Sequence, residues 1–216
     1  MIKAVLYDLD GTLIDCHRYT FNAYRTAILS FGIKVRQKEI IKKCFNILDK
    51  DVVKNFNLKS LERFSDIYRE ESLKGYKKAK LFPDAIRTIK HLKNRGLKLG
   101  IGTLREKQII TDTLKKTKLE GYFNVIVTNE KKLSKDKLFF EAMKQLSIYP
   151  TETIIIGDAQ NDIIAAKKLG IKCILFYPKE NKKYYKFADL KKLKPDIIVR
   201  NHSEIIKAIG KLESKK

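Results

Sequence analysis

Apolar residues along this chain follow two rhythms. The runs Ala4-Val5-Leu6-Tyr7, 97–102, 124–128, 153–157, 172–176 and 197–199 are short, nearly unbroken and rich in β-branched residues. That is the signature of strands buried on both faces. From Pro83 onward these runs alternate with stretches at helical spacing: 84–95, stopped by Gly96, then 106–117, 137–147, 161–169 and a last helix after 199. Strands alternating with helices predict an α/β fold, a doubly wound and mostly parallel sheet covered by helices. Ligands of such sheets bind at the carboxyl ends of the strands.

The second rhythm occupies 16–80. Phe21, Tyr24, Ile28 and Leu29 recur at helical spacing, as do Ile40, Ile41, Cys44, Phe45 and Leu48, and again Leu61, Phe64, Ile67, Tyr68 and Leu73. No convincing strand interrupts them, which predicts a small all-helical domain at 16–80 inserted into a core made of 1–15 and 81–216. Residues 179–194, rich in Lys and Tyr, read as a surface excursion, and 213–216 as a frayed tail.

Composition narrows the setting. A chain of 216 residues suffices for one sizeable core plus a small insertion. No apolar run approaches the roughly 20 residues of a membrane span, and the chain enters its first strand without a leader pattern. Cys16, Cys44 and Cys173 are far apart and lack zinc-ligand spacing, so reduced thiols in a cytoplasm are expected. The net charge of +22 comes from lysines spread along the whole chain, with only short clusters such as Lys77-Lys78 and Lys115-Lys116. No RNA-binding motif or zinc finger accompanies them. Such a charge suits nucleic-acid binding or a generally Lys-rich proteome, and it would also attract small phosphorylated metabolites as anionic substrates; no specific nucleic-acid partner is expected.

Four stretches at strand ends carry candidate chemistry. Asp8-Leu9-Asp10-Gly11-Thr12-Leu13-Ile14-Asp15 follows the first strand. Alternate positions face one side, so Asp8 and Asp10 can converge on one reacting group, with a cation or proton relieving their repulsion. That suggests a Mg²⁺ site with a nucleophilic carboxylate and a nearby acid/base, although Asp and Gly also form plain turns. Gly157-Asp158 ends another strand, with Asp162 four residues on, where Asp158 also fits a helix cap and Asp162 a first-turn acid. Thr103, with the backbone N–H of Leu104 and the side chain of Arg105, ends a third strand; a plain helix cap is the alternative there. Lys131-Lys132-Leu133-Ser134-Lys135 offers cations before the helix at 137, or simply a solvated loop.

Together these strings resemble the haloacid dehalogenase superfamily, mostly Mg²⁺-dependent phosphatases that work through an aspartyl phosphate. DLDGTLID resembles its motif I and GDxxxD its motif IV; Thr103 resembles motif II, and the lysine run a motif III of irregular register. The resemblance implies a Rossmann-like core with a helical cap, as in phosphoglycolate-phosphatase-like members. It implies Asp8 as nucleophile, Asp10 as general acid/base and Asp158 as metal ligand, with Asp162 supporting the metal. A Mg²⁺ shell is implied from the Asp8 carboxylate, the Asp10 carbonyl, Asp158, waters and substrate phosphate. Thr103 and the Leu104 amide would bind phosphate. The family usually has Asn or Ser after the threonine, so Leu104-Arg105 departs from it and Arg105 becomes an extra substrate contact. Lys135 is favoured over Lys132 as the motif III lysine, because Ser134-Lys135 begins the turn into the helix.

The activity implied is hydrolysis of a small phosphorylated metabolite. A sugar-phosphate phosphomutase would keep the same residues. A 2-haloacid dehalogenase would lack Asp10, and a basic nucleic-acid-binding protein would have no use for Asp8, Asp10 and Asp158. His17, Arg18 and Tyr24, just past motif I, fit a site or a core equally, and Cys16 reads as a small core residue.

Overall fold

The computed structural model describes residues 1–45, 47–130 and 133–214. In chain order, β1 (Ala4–Tyr7) leads to a short strand β2 (Ile14–Asp15), then to α1 (His17–Leu29), α2 (Gln37–Cys44), α3 (Asp49–Asn55) and α4 (Leu61–Tyr76). β3 (Lys80–Leu81), α5 (Ala85–Asn94), β4 (Lys98–Gly102), α6 (Lys107–Lys116), β5 (Val125–Val127) and α7 (Lys135–Leu146) follow. The chain continues through β6 (Thr153–Gly157), α8 (Gln160–Leu169), β7 (Lys172–Phe176), α9 (Phe187–Lys192), β8 (Ile197–Val199) and α10 (Ser203–Ser214). It folds as two compact units, Met1–Asp15 with Lys80–Lys216, and Cys16–Ala79.

The larger unit is the predicted α/β architecture. Its six strands run parallel in the order β5-β4-β1-β6-β7-β8. β1 is central, so the ends of β1, β4 and β6 lie side by side. Every residue of β1 and of β6 is buried, which is why both read as unbroken apolar runs. Helices α7 and α8 pack together over the sheet face carrying Leu6, Ile155 and Leu175, while α5 and α10 pack against each other and against other parts of the sheet.

Two glycines of β4 leave room for neighbouring side chains, and Gly102 does so for α7. A Cβ at Gly102 would lie 2.7 Å from the ring of Phe139, and one at Gly100 would lie 2.6 Å from Leu6. The buried Phe139 side chain therefore occupies the space a larger residue in β4 would take. Burial of a side chain of that size stabilises the fold by about 1.5–3 kcal/mol.

The helical unit closes on its own aromatic core. Tyr24 and Tyr68 stack with ring centroids 4.3 Å apart, and Phe64 lies parallel to Tyr68. A Cβ at Gly75 would come within 2.5 Å of Tyr19, so α1 and α4 depend on glycine at their closest approach.

Three features depart from the sequence expectations. β2 and β3 form an unforeseen antiparallel ladder, Ile14 opposite Leu81 and Asp15 opposite Lys80. The stretch 179–194 is not a simple surface excursion. It contains a 3-10 turn, Lys179–Lys183, and α9, and it buries Asn181 and Leu190 while its lysines stay exposed. The C-terminal helix runs through Glu213 to Ser214, with Glu213 paired to Arg95 at 3.1 Å; Lys215 and Lys216 lie outside the described residues. Among the described residues, no helix is long and apolar enough to cross a membrane.

His202, just before α10, ties the turn after β1 to the far end of the chain. It is fully buried, with Nε2 2.8 Å from the carbonyl of Thr12 and its ring against Phe176. A carbonyl only accepts, so Nε2 carries the proton. Burial pushes this imidazole down from 6.5 to about 4. The native state therefore holds it neutral while the unfolded chain protonates it first. Stability from this residue is full above about pH 6.5 and falls by about 3 kcal/mol as pH drops through the window to about 4. Urea unfolding at several pH values in that window should show His202→Gln, which keeps an N–H donor but does not titrate, losing less stability than wild type. Equal acid losses would remove His202 as the cause.

Candidate active site

Asp8 is the first residue past β1, and its amide still donates to the carbonyl of Ile156 at 2.9 Å. The sheet ladder thus holds Asp8 at the carboxyl edge. Gly11 (φ 76°) then turns the chain, and the Leu9 carbonyl accepts from the amides of Thr12, Leu13 and Ile14. Asp8 Oδ1 accepts from the Leu9 amide at 2.7 Å and from Lys135 Nζ at 2.5 Å. Both bonds fall on one oxygen and neither uses Oδ2.

Lys135 is the first residue of α7, and its exposure is only 7%. Its ammonium also lies 3.3 Å from Asp162 Oδ1, an ion pair without hydrogen-bond geometry. Asp162 sits in the first turn of α8, where its Oδ2 accepts from the Ala159 amide at 3.1 Å. That part of the helix-cap alternative holds. Its other part does not, because Ala159 takes the N-cap position and Asp158 points elsewhere. Asp158 is fully buried, with Oδ1 accepting from Thr12 Oγ1 at 3.0 Å and Oδ2 from Asn181 Nδ2 at 3.0 Å. Gly157 is required between them, since a Cβ there would collide with the Asp162 side chain.

The structure thus brings Asp8, Lys135, Asp158 and Asp162 together. Oxygens of the three carboxylates lie within 4.8 Å of one another. Burial pushes the Asp8 carboxyl up to about 7; Lys135 pulls it down, while Asp162 and Asp10 push it further up. Asp162 is raised as well, by burial first. Burial works against the charge on Lys135, but Asp162 and Asp8 outweigh it and raise its pKa. Among the described residues, the Lys135 ammonium pairs with two of these three buried carboxylates. This all-oxygen set with excess negative charge fits a hard divalent cation.

A second group lies at the end of β4. Thr103 is buried; its amide donates to the Val127 carbonyl at 3.0 Å and its Oγ1 accepts from the Arg105 amide at 3.2 Å. It does not cap α6, whose N-cap is Glu106. The Leu104 side chain is exposed. Arg105 Nε donates to Asp10 Oδ2 at 2.6 Å, so the guanidinium expected on a substrate is engaged with an aspartate of the first motif.

Lys132 lies outside the described residues. His17 and Tyr24 are buried in the helical unit beside Phe45, and the Arg18 guanidinium lies over the Tyr19 ring. Sequence reasoning missed Thr12 and Asn181, which both donate to Asp158. Thr12 lies inside the first motif, whereas Asn181 sits among lysines with nothing to mark it.

Comparisons with known proteins agree with this geometry. The family model described as haloacid dehalogenase-like hydrolase matches residues 5–176. A pyrophosphatase PpaX from Oceanobacillus iheyensis is 25% identical over 218 residues, covering 97% of this chain and 97% of that protein. A phosphoglycolate phosphatase from Photorhabdus laumondii is 25% identical over 227 residues, covering 97% of this chain and 93% of its own. Among solved structures, a haloacid dehalogenase-like family hydrolase from Streptococcus pneumoniae has a TM-score of 0.84 at 25% identity, covering 96% of this chain and 98% of that one.

Removing the single ammonium should expose the charge imbalance. Lys135→Met leaves buried carboxylates without their partner and should destabilise the metal-free protein by about 3–5 kcal/mol near neutral pH. Protons then replace the ammonium, so the native state takes up more of them and the deficit should narrow as pH falls toward about 5. Urea denaturation at both pH values measures this. A deficit that widens in acid would contradict the assignment.

Proposed function

The chain belongs to the haloacid dehalogenase-like hydrolases, and we propose that it is a Mg²⁺-dependent phosphatase that hydrolyses a small phosphorylated metabolite through an aspartyl phosphate on Asp8. The observation that carries this reading is the state of Asp8: buried, with Oδ1 fixed by Lys135 and the Leu9 amide, and Oδ2 outside both bonds. A cytoplasmic setting is in keeping with three buried free cysteines.

In this reading Asp8 Oδ2 attacks phosphorus in line, and the bond from phosphorus to the leaving oxygen breaks. Asp10 gives that oxygen its proton. Asp10 then takes a proton from water, whose oxygen attacks the aspartyl phosphate, releasing inorganic phosphate and restoring Asp8. Lys135 pulls Asp8 back toward its ionised form against its burial and offsets charge on the phosphoryl oxygens. Thr103 Oγ1 uses a lone pair on the Arg105 amide, so its O–H proton is left for a phosphoryl oxygen, with the Leu104 amide as second donor. Arg105 orients Asp10 through their ion pair. Asp8, Asp158 and the Asp10 carbonyl would hold Mg²⁺, with Asp162 in support. When bound, the ion supplies charge neutralisation between the Asp8 carboxylate and an anionic substrate.

The substrate class is small and multiply anionic. One relative is named for pyrophosphate and another for phosphoglycolate, and both compounds suit a chain of net charge +22. Discrimination among such substrates is assigned to the Cys16–Ala79 unit.

A panel of phosphorylated metabolites and pyrophosphate, assayed for phosphate release with Mg²⁺ or with chelator, tests the proposal. Asp8→Asn should lower turnover at least about a thousandfold, in keeping with loss of a nucleophile. Asp10→Asn should lower it about 10²–10⁴-fold, as for loss of a general acid/base. Metal-dependent phosphate release that survives in Asp8→Asn would sink the mechanism.

The charge makes a separate expectation. If it gathers anionic substrate, kcat/KM should fall as salt rises while kcat changes little, because screening acts on encounter. A salt-independent kcat/KM would leave the charge without that role.

A further inference from the structure

We infer that Asn181 is a positioning residue that sets the orientation of Asp158 for a divalent cation; this rests on the metal-dependent reading above. Asn181 lies in the 3-10 turn after β7 and is fully buried. Its Nδ2 donates to the Gly11 carbonyl at 2.9 Å and to Asp158 Oδ2 at 3.0 Å. Both partners are acceptors, so only the NH₂ end of the amide can face them. Among the described residues Asn181 Oδ1 has no hydrogen-bond partner, so the donor end is the one the fold uses.

The backbone of Asn181 is fixed as tightly as its side chain. Its carbonyl accepts from the amides of Tyr184 and Tyr185 at 2.9 and 3.0 Å, and its own amide donates to the Pro178 carbonyl. The side chain thus reaches the site from an anchored turn. Thr12 Oγ1 holds the other oxygen of Asp158. With a donor on each oxygen, the carboxylate plane cannot rotate without breaking a buried bond. Asn181 also grips Gly11, the residue at which the chain turns after Asp8 and Asp10. One amide therefore couples the end of β6 to the turn that presents the other two carboxylates. Groups that orient a metal ligand in this way typically change metal affinity about ten- to a hundredfold when removed.

Calorimetric titration of Mg²⁺ into folded Asn181→Ala tests this. Positioning predicts a Mg²⁺ Kd raised about ten- to a hundredfold over wild type. It also predicts a smaller rise in Tm at a fixed Mg²⁺ concentration, with kcat recovered at saturating Mg²⁺ and substrate KM little changed. An unchanged Mg²⁺ Kd, with Tm lowered equally with and without Mg²⁺, overturns the inference and makes Asn181 a brace of the fold alone. Wild type that takes up no Mg²⁺ overturns the metal-dependent reading itself and this inference with it. Should Asn181→Ala fail to fold, Asn181→Ser, whose one hydroxyl can serve only one of the two acceptors, is titrated instead, and the same outcomes decide.

Discussion

Three carboxylates buried within 4.8 Å of one another are the constraint around which the core is arranged. Ionised carboxylates in such a place are expensive unless each is paired or hydrogen-bonded. The fold answers each one separately. Asp8 takes Lys135 and the Leu9 amide, Asp162 takes Lys135 and the Ala159 amide, and Asp158 takes Thr12 and Asn181. Only one of these partners is charged. Among these partners the carboxylates outnumber the cations, which is the electrostatic reason the cluster suits a divalent cation.

The packing of the sheet follows from where that one ammonium must be. Lys135 reaches Asp8 because α7 begins there and because Phe139, one turn on, rests against β4. Gly102 leaves room for that ring, and the Lys135 ammonium itself lies 5.2 Å from its centroid. A glycine in a strand interior ordinarily weakens it. Here Gly100, Gly102 and Gly157 are each filled by a neighbouring side chain, two by residues that build the hydrophobic layer and one by Asp162. The apolar core and the charged site are therefore one packing problem, and the same close approaches solve both.

Much of this was legible in the sequence because it is written locally. Unbroken apolar runs marked the parallel strands, and Asp8, Thr103 and Asp158 could be placed because each directly follows such a run. Lys135 was favoured over Lys132 because Ser134-Lys135 begins the turn into the helix, and its ammonium does lie against Asp8, while Lys132 lies outside the described residues. What stayed hidden depends on partners far apart in the chain. Asn181 meets Gly11 across 170 positions and His202 meets Thr12 across 190, and neither has a local pattern to distinguish it from its surroundings. Arg105 was legible as a residue near the site but not as a partner of Asp10, because that depends on β4 lying beside β1.

The Arg105–Asp10 pair gives the site a division of labour. Lys135 acts on Asp8, which is more buried than Asp10, while Arg105 holds Asp10, and both side chains of that second pair keep some exposure. Two adjacent acids on one strand end are thus kept apart by two cations from different elements. A nucleophile must remain ionised and fixed, whereas an acid/base must exchange protons with substrate and water. A buried ammonium in direct contact suits the first requirement. A partly exposed guanidinium that orients its partner suits the second. The different depths of Asp8 and Asp10 therefore match the different chemistry assigned to them, although only one residue separates them in the sequence.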